Sequence, residues 1–192
     1  MPKMHVDRQW TIRAEAGKVF DVIADYGTWT TWSPWLCADK GASVTVSDPA
    51  NQVGSTYAWD GDVVGAGSMT HTQLKTPDEI VAKLEFTKPF KSTSQVTFKI
   101  RPQGDATVVE WHMDGNWPWF LFWMKGMMET LIGMDYQRGL MMLGDWIETG
   151  KIESDTEVLG VVDVPDRTVH GVSNQVAMAD VGESMAKDFH RV

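Results

Sequence analysis

From Ala42 to Asp114 the chain is broken every few residues by Gly, Pro, Asn or Asp, and between the breaks lie six β-rich runs: ASVTVS, STYAWDG, GSMTHTQL, EIVAKLEF, STSQVTFKIRP and ATVVEWHMDG. The joints, such as Asp48-Pro49, Thr76-Pro77-Asp78 and Gln103-Gly104-Asp105, are too short to hold crossover helices. Consecutive runs must therefore pair as antiparallel hairpins. Val6 to Ile12 (VDRQWTI) alternates in the same way and adds a strand ahead of them, which makes seven. A chain committed in this way through its middle is α+β, with one antiparallel sheet and its helices placed before and after it.

The flanks supply those helices. Val19, Phe20, Val22 and Ile23 recur at helical spacing after the first strand. Trp29, Trp32 and Trp35 then crowd around Ser33-Pro34, which predicts a further helical turn running into a loop. After Pro118 the pattern predicts one long helix from about Phe120 to Glu148, with Gly150 as its C-terminal stop. At about 100° per residue, Met124, Met128, Leu131, Met142 and Trp146 form one stripe, and Gly126, Thr130, Gly133, Gln137 and Gly144 a second, small or polar one. The stripe of large residues is expected to face the sheet. Asp135 falls within it, with Arg138 one turn on as a partner. These elements define a domain over 1–150. Residues 151–157 (KIESDTE) read as a polar linker, and the tail, 158–192, is too short to close a core of its own.

Charge and cysteine usage narrow the classes further. With 17 basic against 26 acidic side chains the net charge is -9, which opposes a nucleic-acid partner. Cys37 is alone and cannot form an internal disulfide, so the cytoplasm is the expected compartment. Trp117 to Met124 (WPWFLFWM), the most apolar run, is far short of the ~20 residues of a spanning helix, so no integral membrane segment is expected. His5, His71, His112, His170 and His190 are scattered, with no Cys pair to join them, and neither a metal site nor a cofactor motif is legible. Ten Trp and twelve Met are an excess of large, polarizable side chains, suited to adaptable apolar contact.

TIRAEAGKVFDVIADYGTWTTWSPW resembles the opening of the SRPBCC, or START-like, superfamily in its polyketide cyclase/dehydrase-like branch. VGSTYAWDGDVVGAGSMT, LEFTKPFKSTSQVTFKI, GDATVVEWHMDG and IGMDYQRGLMMLGDWIE resemble later blocks of the same branch, in the right order, from about Val6 to Glu148. The resemblance implies a helix-grip fold: a seven-stranded antiparallel sheet curved around a long C-terminal helix, two short helices after strand 1, and a cavity between sheet and long helix for a small hydrophobic molecule. In the tail, VLGVVDVPDRTVHGV resembles the beginning of a GyrI-like effector-binding domain, truncated here.

Period-2 alternation assigns residues to such a cavity. In the last strand Thr107, Val109, Trp111 and Met113 share one face, and His112 the opposite one. Ile80, Ala82, Leu84 and Phe86, and Val96, Phe98 and Ile100, form the corresponding apolar sets of the two preceding strands. Tyr57 pairs with Trp59, and Met69 with His71, on faces of earlier strands. The expected ligand contacts are thus Trp32, Trp35, Tyr57 and Trp59; Met69, His71, Phe86 and Phe98; Trp111 and Met113; and Met124, Met128 and Asp135 from the helix. The same residues would serve a solidly packed core, although so many converging indoles are hard to close-pack.

Three functions remain open. The first is a carrier or sensor that binds a small hydrophobic or amphipathic molecule without covalent chemistry. The second is a cyclase/aromatase-type enzyme using His71, Asp135 and Tyr57 as acid-base groups. The third is an interaction protein, with a homodimer formed through the Trp-rich segment.

Overall fold

In a computed structural model, the protein is described over residues 3–39, 41–116, 123–153, 168, 171–177 and 180–189. It divides into two compact units, Met1–Thr156 and Glu157–Val192. In the first, β1 (Lys3–Ile12) is followed by α1 (Ala16–Ala24), a 3-10 turn (Tyr26–Thr28), α2 (Trp29–Trp32) and α3 (Pro34–Ala38). The strands β2 (Ser43–Val46), β3 (Thr56–Gly61), β4 (Gly65–Lys75), β5 (Glu79–Lys88), β6 (Ser92–Gln103) and β7 (Ala106–Asn116) come next, and α4 (Lys125–Thr149) closes the unit. The described part of the second unit holds α5 (Val181–Phe189). The stretch that resembles a GyrI-like domain lies almost wholly outside the described residues.

All seven strands form one antiparallel sheet in the order β1-β7-β6-β5-β4-β3-β2. The six later strands meander by hairpins, as their short joints require, and Gly104 takes the positive φ of 66° that the β6–β7 turn needs. β1 closes on β7 and leaves an edge of its own. Alternation holds along the central strands: Thr107, Val109, Trp111 and Met113 are all buried, while Val108, Glu110 and His112 are only half-buried on the other face. A bulge between His71 and Gln73 bends β4, with His71 on the inner face.

Two details of the sequence reading change. The Ser33-Pro34 segment is two short helices instead of a turn and a loop: Pro34 stands in the first turn of α3, where its missing N–H costs nothing. The faces of α4 also differ from expectation. Met142 and Ile147 are buried, but Leu131 is 47% exposed, and Gly133, Gly139 and Gly144 lie against the sheet side. The reason is close approach. A Cβ at Gly139 would come within 2.9 Å of Trp111 and 3.2 Å of Pro34, one at Gly144 within 3.2 Å of Trp10, and one at Gly133 would overlap the Arg8 guanidinium. Small residues make the closest seat of the helix, and the stripe of large residues lies at its margin: Met142 is buried, Met124, Met128 and Trp146 are half-buried, and Leu131 is exposed. α4 is described from Lys125, with Trp123 and Met124 in a tighter turn before it. Residues 117–122, and with them most of the Trp-rich run, lie outside the described residues. Gly150 ends α4 at a φ of 75°, its N–H donating to the Trp146 carbonyl at 3.0 Å.

Candidate functional site

The inner face of the sheet is covered by rings. Trp111, on β7 between β1 and β6, is 1% exposed and is the hub: it stacks on Tyr136 of α4 with centroids 4.0 Å apart and leans on Phe98 of β6 at 4.7 Å. Trp29, Trp32 and Trp35 meet it edge-on at 6.3, 6.1 and 5.7 Å. The layer extends toward β3 and β4 through Trp29 to Tyr26 and Tyr57, and Tyr26 stacks on His71 at 3.9 Å. Edge-to-face and offset contacts of this kind are favourable beyond the area they bury. The space expected to be vacant is therefore occupied at its centre by the protein's own aromatic side chains.

Among the described residues, three buried polar atoms in this layer have no hydrogen-bond partner: the Tyr26 hydroxyl, His71 Nδ1 and Trp111 Nε1. The Trp111 N–H lies near the Tyr136 hydroxyl without forming a well-directed hydrogen bond. His71 is 1% exposed, and its Nε2 donates to the Ala24 carbonyl at 2.9 Å. That bond leaves Nδ1 as a lone-pair acceptor on a neutral ring, and burial holds the imidazole below its ordinary pKa. Burial likewise pushes Tyr57 up to about 12, partly offset by the Ser33 hydroxyl. It pushes Tyr26 and Tyr136 higher still, so all three stay protonated at neutral pH. An unpaired buried polar atom costs about 1–3 kcal/mol.

Asp135 belongs to the other end of the layer. Its carboxylate accepts from the Trp35 indole N–H at 3.2 Å, and both residues are half-buried. Burial raises its pKa, while the Trp35 bond and the charge of Arg138 oppose the rise. The partner expected from the sequence, Arg138, thus acts only through its field, and the indole takes the hydrogen bond. Trp59 and Phe86 form a second half-buried rim, edge-on at 5.6 Å. A Cβ at Gly67 would meet the Trp59 ring at 2.6 Å, so the glycine is what lets that indole lie against β4.

The structure thus gathers Trp32, Trp35, Phe98 and Trp111 directly, and ties Tyr57 and His71 to them through Tyr26 and Trp29. Met69 and Met113 are buried in the same core, whereas Met124, just ahead of α4, and Met128, in its first turn, are half-buried. His71 and Tyr57 share one ring neighbour, Tyr26, but Asp135 makes its hydrogen bond at the Trp35 end, so the three acid-base candidates are not one cluster. Sequence reasoning missed Tyr26, Trp29 and Tyr136. The signal for Tyr136 was its place one turn before Leu140 and two before Leu143 on α4. For Tyr26 and Trp29 no periodicity was available, because they sit in short turns. Among the described residues no group of three or more His, Cys, Asp or Glu could hold a metal, and no helix is long and apolar enough to cross a membrane.

Residues 3–148 match the polyketide cyclase/dehydrase and lipid transport family, and the chain belongs to that family. Solved structures share the fold at low identity. A protein from Thermobifida fusca is similar with a TM-score of 0.60 and 15% identity, covering 80% of this chain and 97% of its own. A protein from Chromobacterium violaceum is similar at 0.58 and 15%, covering 75% and 96%. The Aha1 dimer from Colwellia psychrerythraea is similar at 0.56 and 18%, covering 77% and 98%. No curated protein matches this sequence.

Proposed function

We propose that the protein is a carrier or sensor for a small, largely aromatic or apolar molecule that carries a hydroxyl or carbonyl group. The observation that supports this most is the set of unpaired buried atoms, Tyr26 Oη, His71 Nδ1 and Trp111 Nε1, inside an otherwise apolar layer. A guest with one or two polar groups would satisfy them, and its ring would replace ring-to-ring contacts of the kind already present. The half-buried rims, Trp35 with Asp135 and Trp59 with Phe86, are the places where the layer can part to admit it. Family membership agrees with such a ligand.

A cyclase-type reaction is the second reading, and one feature favours it: the free Nδ1 of a neutral, buried His71 is an acceptor suited to taking a proton from a guest. Against it, Asp135 stands apart from His71 and would not complete an acid-base pair.

Titration with naphthol and with naphthalene, following tryptophan emission, tests the binding reading. Saturable quenching is expected for both, with naphthol about fivefold tighter because its hydroxyl meets an unpaired atom. Trp59→Ala and Trp35→Phe should weaken both. Absence of saturable quenching by either probe would overturn the proposal. Retained binding with loss of turnover in His71→Asn would shift the choice to the enzyme.

A further inference from the structure

α4 carries a second apolar face, turned away from the layer just described. Met127, Leu131, Met134 and Met141 are all exposed, Met134 at 63%. They recur at steps of four, three and seven residues, the 3.5-residue period of a helix–helix seam. The residues that α4 buries against its own sheet, among them Tyr136, Leu140, Leu143 and Ile147, are a different set. Arg138 and Asp145, both half-buried, occupy the remaining stations of the stripe, and one Asp145 carboxylate oxygen, Oδ2, accepts from the Glu153 N–H at 3.3 Å. Beside it runs a groove of about 630 Å³ in which Arg8, Gly133, Met134, Arg138 and Met141 meet, with Asp145 and Glu153 at its far end. Arg8 belongs to β1, the edge strand, so no neighbouring strand covers that side.

The charges of this face are arranged for a particular occupant. Arg8 and Arg138 are half-buried, yet neither has a carboxylate at ion-pair distance among the described residues. Arg138 stands three residues before Met141, and Asp145 four after it. A two-fold axis passing near Met141 therefore sets an arginine opposite an aspartate twice over. We propose that this face binds a second copy of the chain, with α4 antiparallel to the partner's α4, Met141 at the centre, and each Arg138 reaching the other copy's acidic station. Such a contact is self-complementary and closes after two copies. Methionine, flexible and polarizable, suits a surface that must also be tolerable when free. The proposal goes beyond the ligand reading and is independent of it, because no ring of the inner layer takes part. It moves the dimer contact from the Trp-rich run to the outer face of α4.

Sedimentation equilibrium of the full chain tests it. The wild type is expected to dimerise reversibly. Arg138→Glu and Asp145→Arg should each weaken the dimer about tenfold or more, because each puts like charges opposite one another twice. Mixed in equal amounts, the two variants should form a mixed dimer, since both crossing contacts again become acid with base. Met141→Gln should weaken the dimer while leaving unchanged the thermal melt of the monomer, taken at a concentration well below the dimer Kd. A wild type that stays monomeric at every concentration, a dimer indifferent to both charge reversals, or variants that fail to recombine would each overturn the proposal. Binding of naphthol reads the ligand site separately, so failure here leaves that reading intact.

Discussion

The two halves of α4 are one continuous helix with opposite fates. From Tyr136 to Ile147 it is seated on the sheet: Tyr136, Leu140, Leu143 and Ile147 are buried, and Gly139 and Gly144 let the backbone approach Trp111, Pro34 and Trp10. From Lys125 to Asp135 only Gly133 is buried, while Met127, Leu131 and Met134 face outward and Trp123 just ahead is 69% exposed. Hydrophobicity does not separate them, since both halves are rich in Met and Leu. What separates them is whether small residues allow the helix to come close enough for aromatic side chains to fill the interface. The seated half therefore supports the fold through its inner side, while its outer side, with Met141, continues the exposed stripe that Met127, Leu131 and Met134 begin.

The largest test of that contrast is Trp111→Ala, which removes the hub of the seated half. It should cost about 3–5 kcal/mol in denaturant unfolding, and a cost below about 1 kcal/mol would mean that the layer is not close-packed. Gly139→Ala comes next. Its added methyl meets ring and proline carbons that cannot retreat, so a loss of about 1–3 kcal/mol is expected.

A pH titration of thermal stability follows in size. His71 is buried neutral, and its folded pKa lies below the ordinary 6.5. The unfolded chain therefore binds the extra proton first, so the stabilisation is complete above pH 6.5 and is lost as the pH falls below that toward the folded value. His71→Gln should flatten this part of the profile. Asp135 carries the opposite sign. Burial raises its pKa above the ordinary 3.8, so the charged form is a burden that appears as the pH rises through the folded value. Asp135→Asn, which can still accept from Trp35, should raise Tm at neutral pH by about 1–2 °C. The gain should vanish below pH 3.8. The smallest effect is expected from Gly133→Ala. Its methyl would displace only the mobile end of Arg8, and with the gain in helix propensity the net change should stay within about 0.5 kcal/mol. A loss as large as that of Gly139→Ala would show that both halves of α4 are seated alike.

The sheet was legible because its cause is local. Alternation and turn chemistry act over a few residues, and each of the seven strands, together with the inward placement of Trp111, Met113, Phe98 and His71, follows from them. The orientation of α4 was not legible in the same way. A helical plot ranks side chains by apolarity, but three glycines on one side of this helix outweighed the methionines and Leu131 on the other, because a neighbouring strand and ring came up against them. Nor could spacing pair Asp135 with Trp35, which lies 100 residues away.

By itself, then, the sequence determined a seven-stranded antiparallel sheet, a closing helix and a supply of aromatic side chains directed to one face, since periodicity and turns are encoded within reach of one another along the chain. Only the tertiary structure decided that those rings stack on each other around Trp111, that three of their buried polar atoms find no partner among the described residues, and which face of α4 turns outward. Each of these depends on how closely distant surfaces approach, and that distance is set by packing.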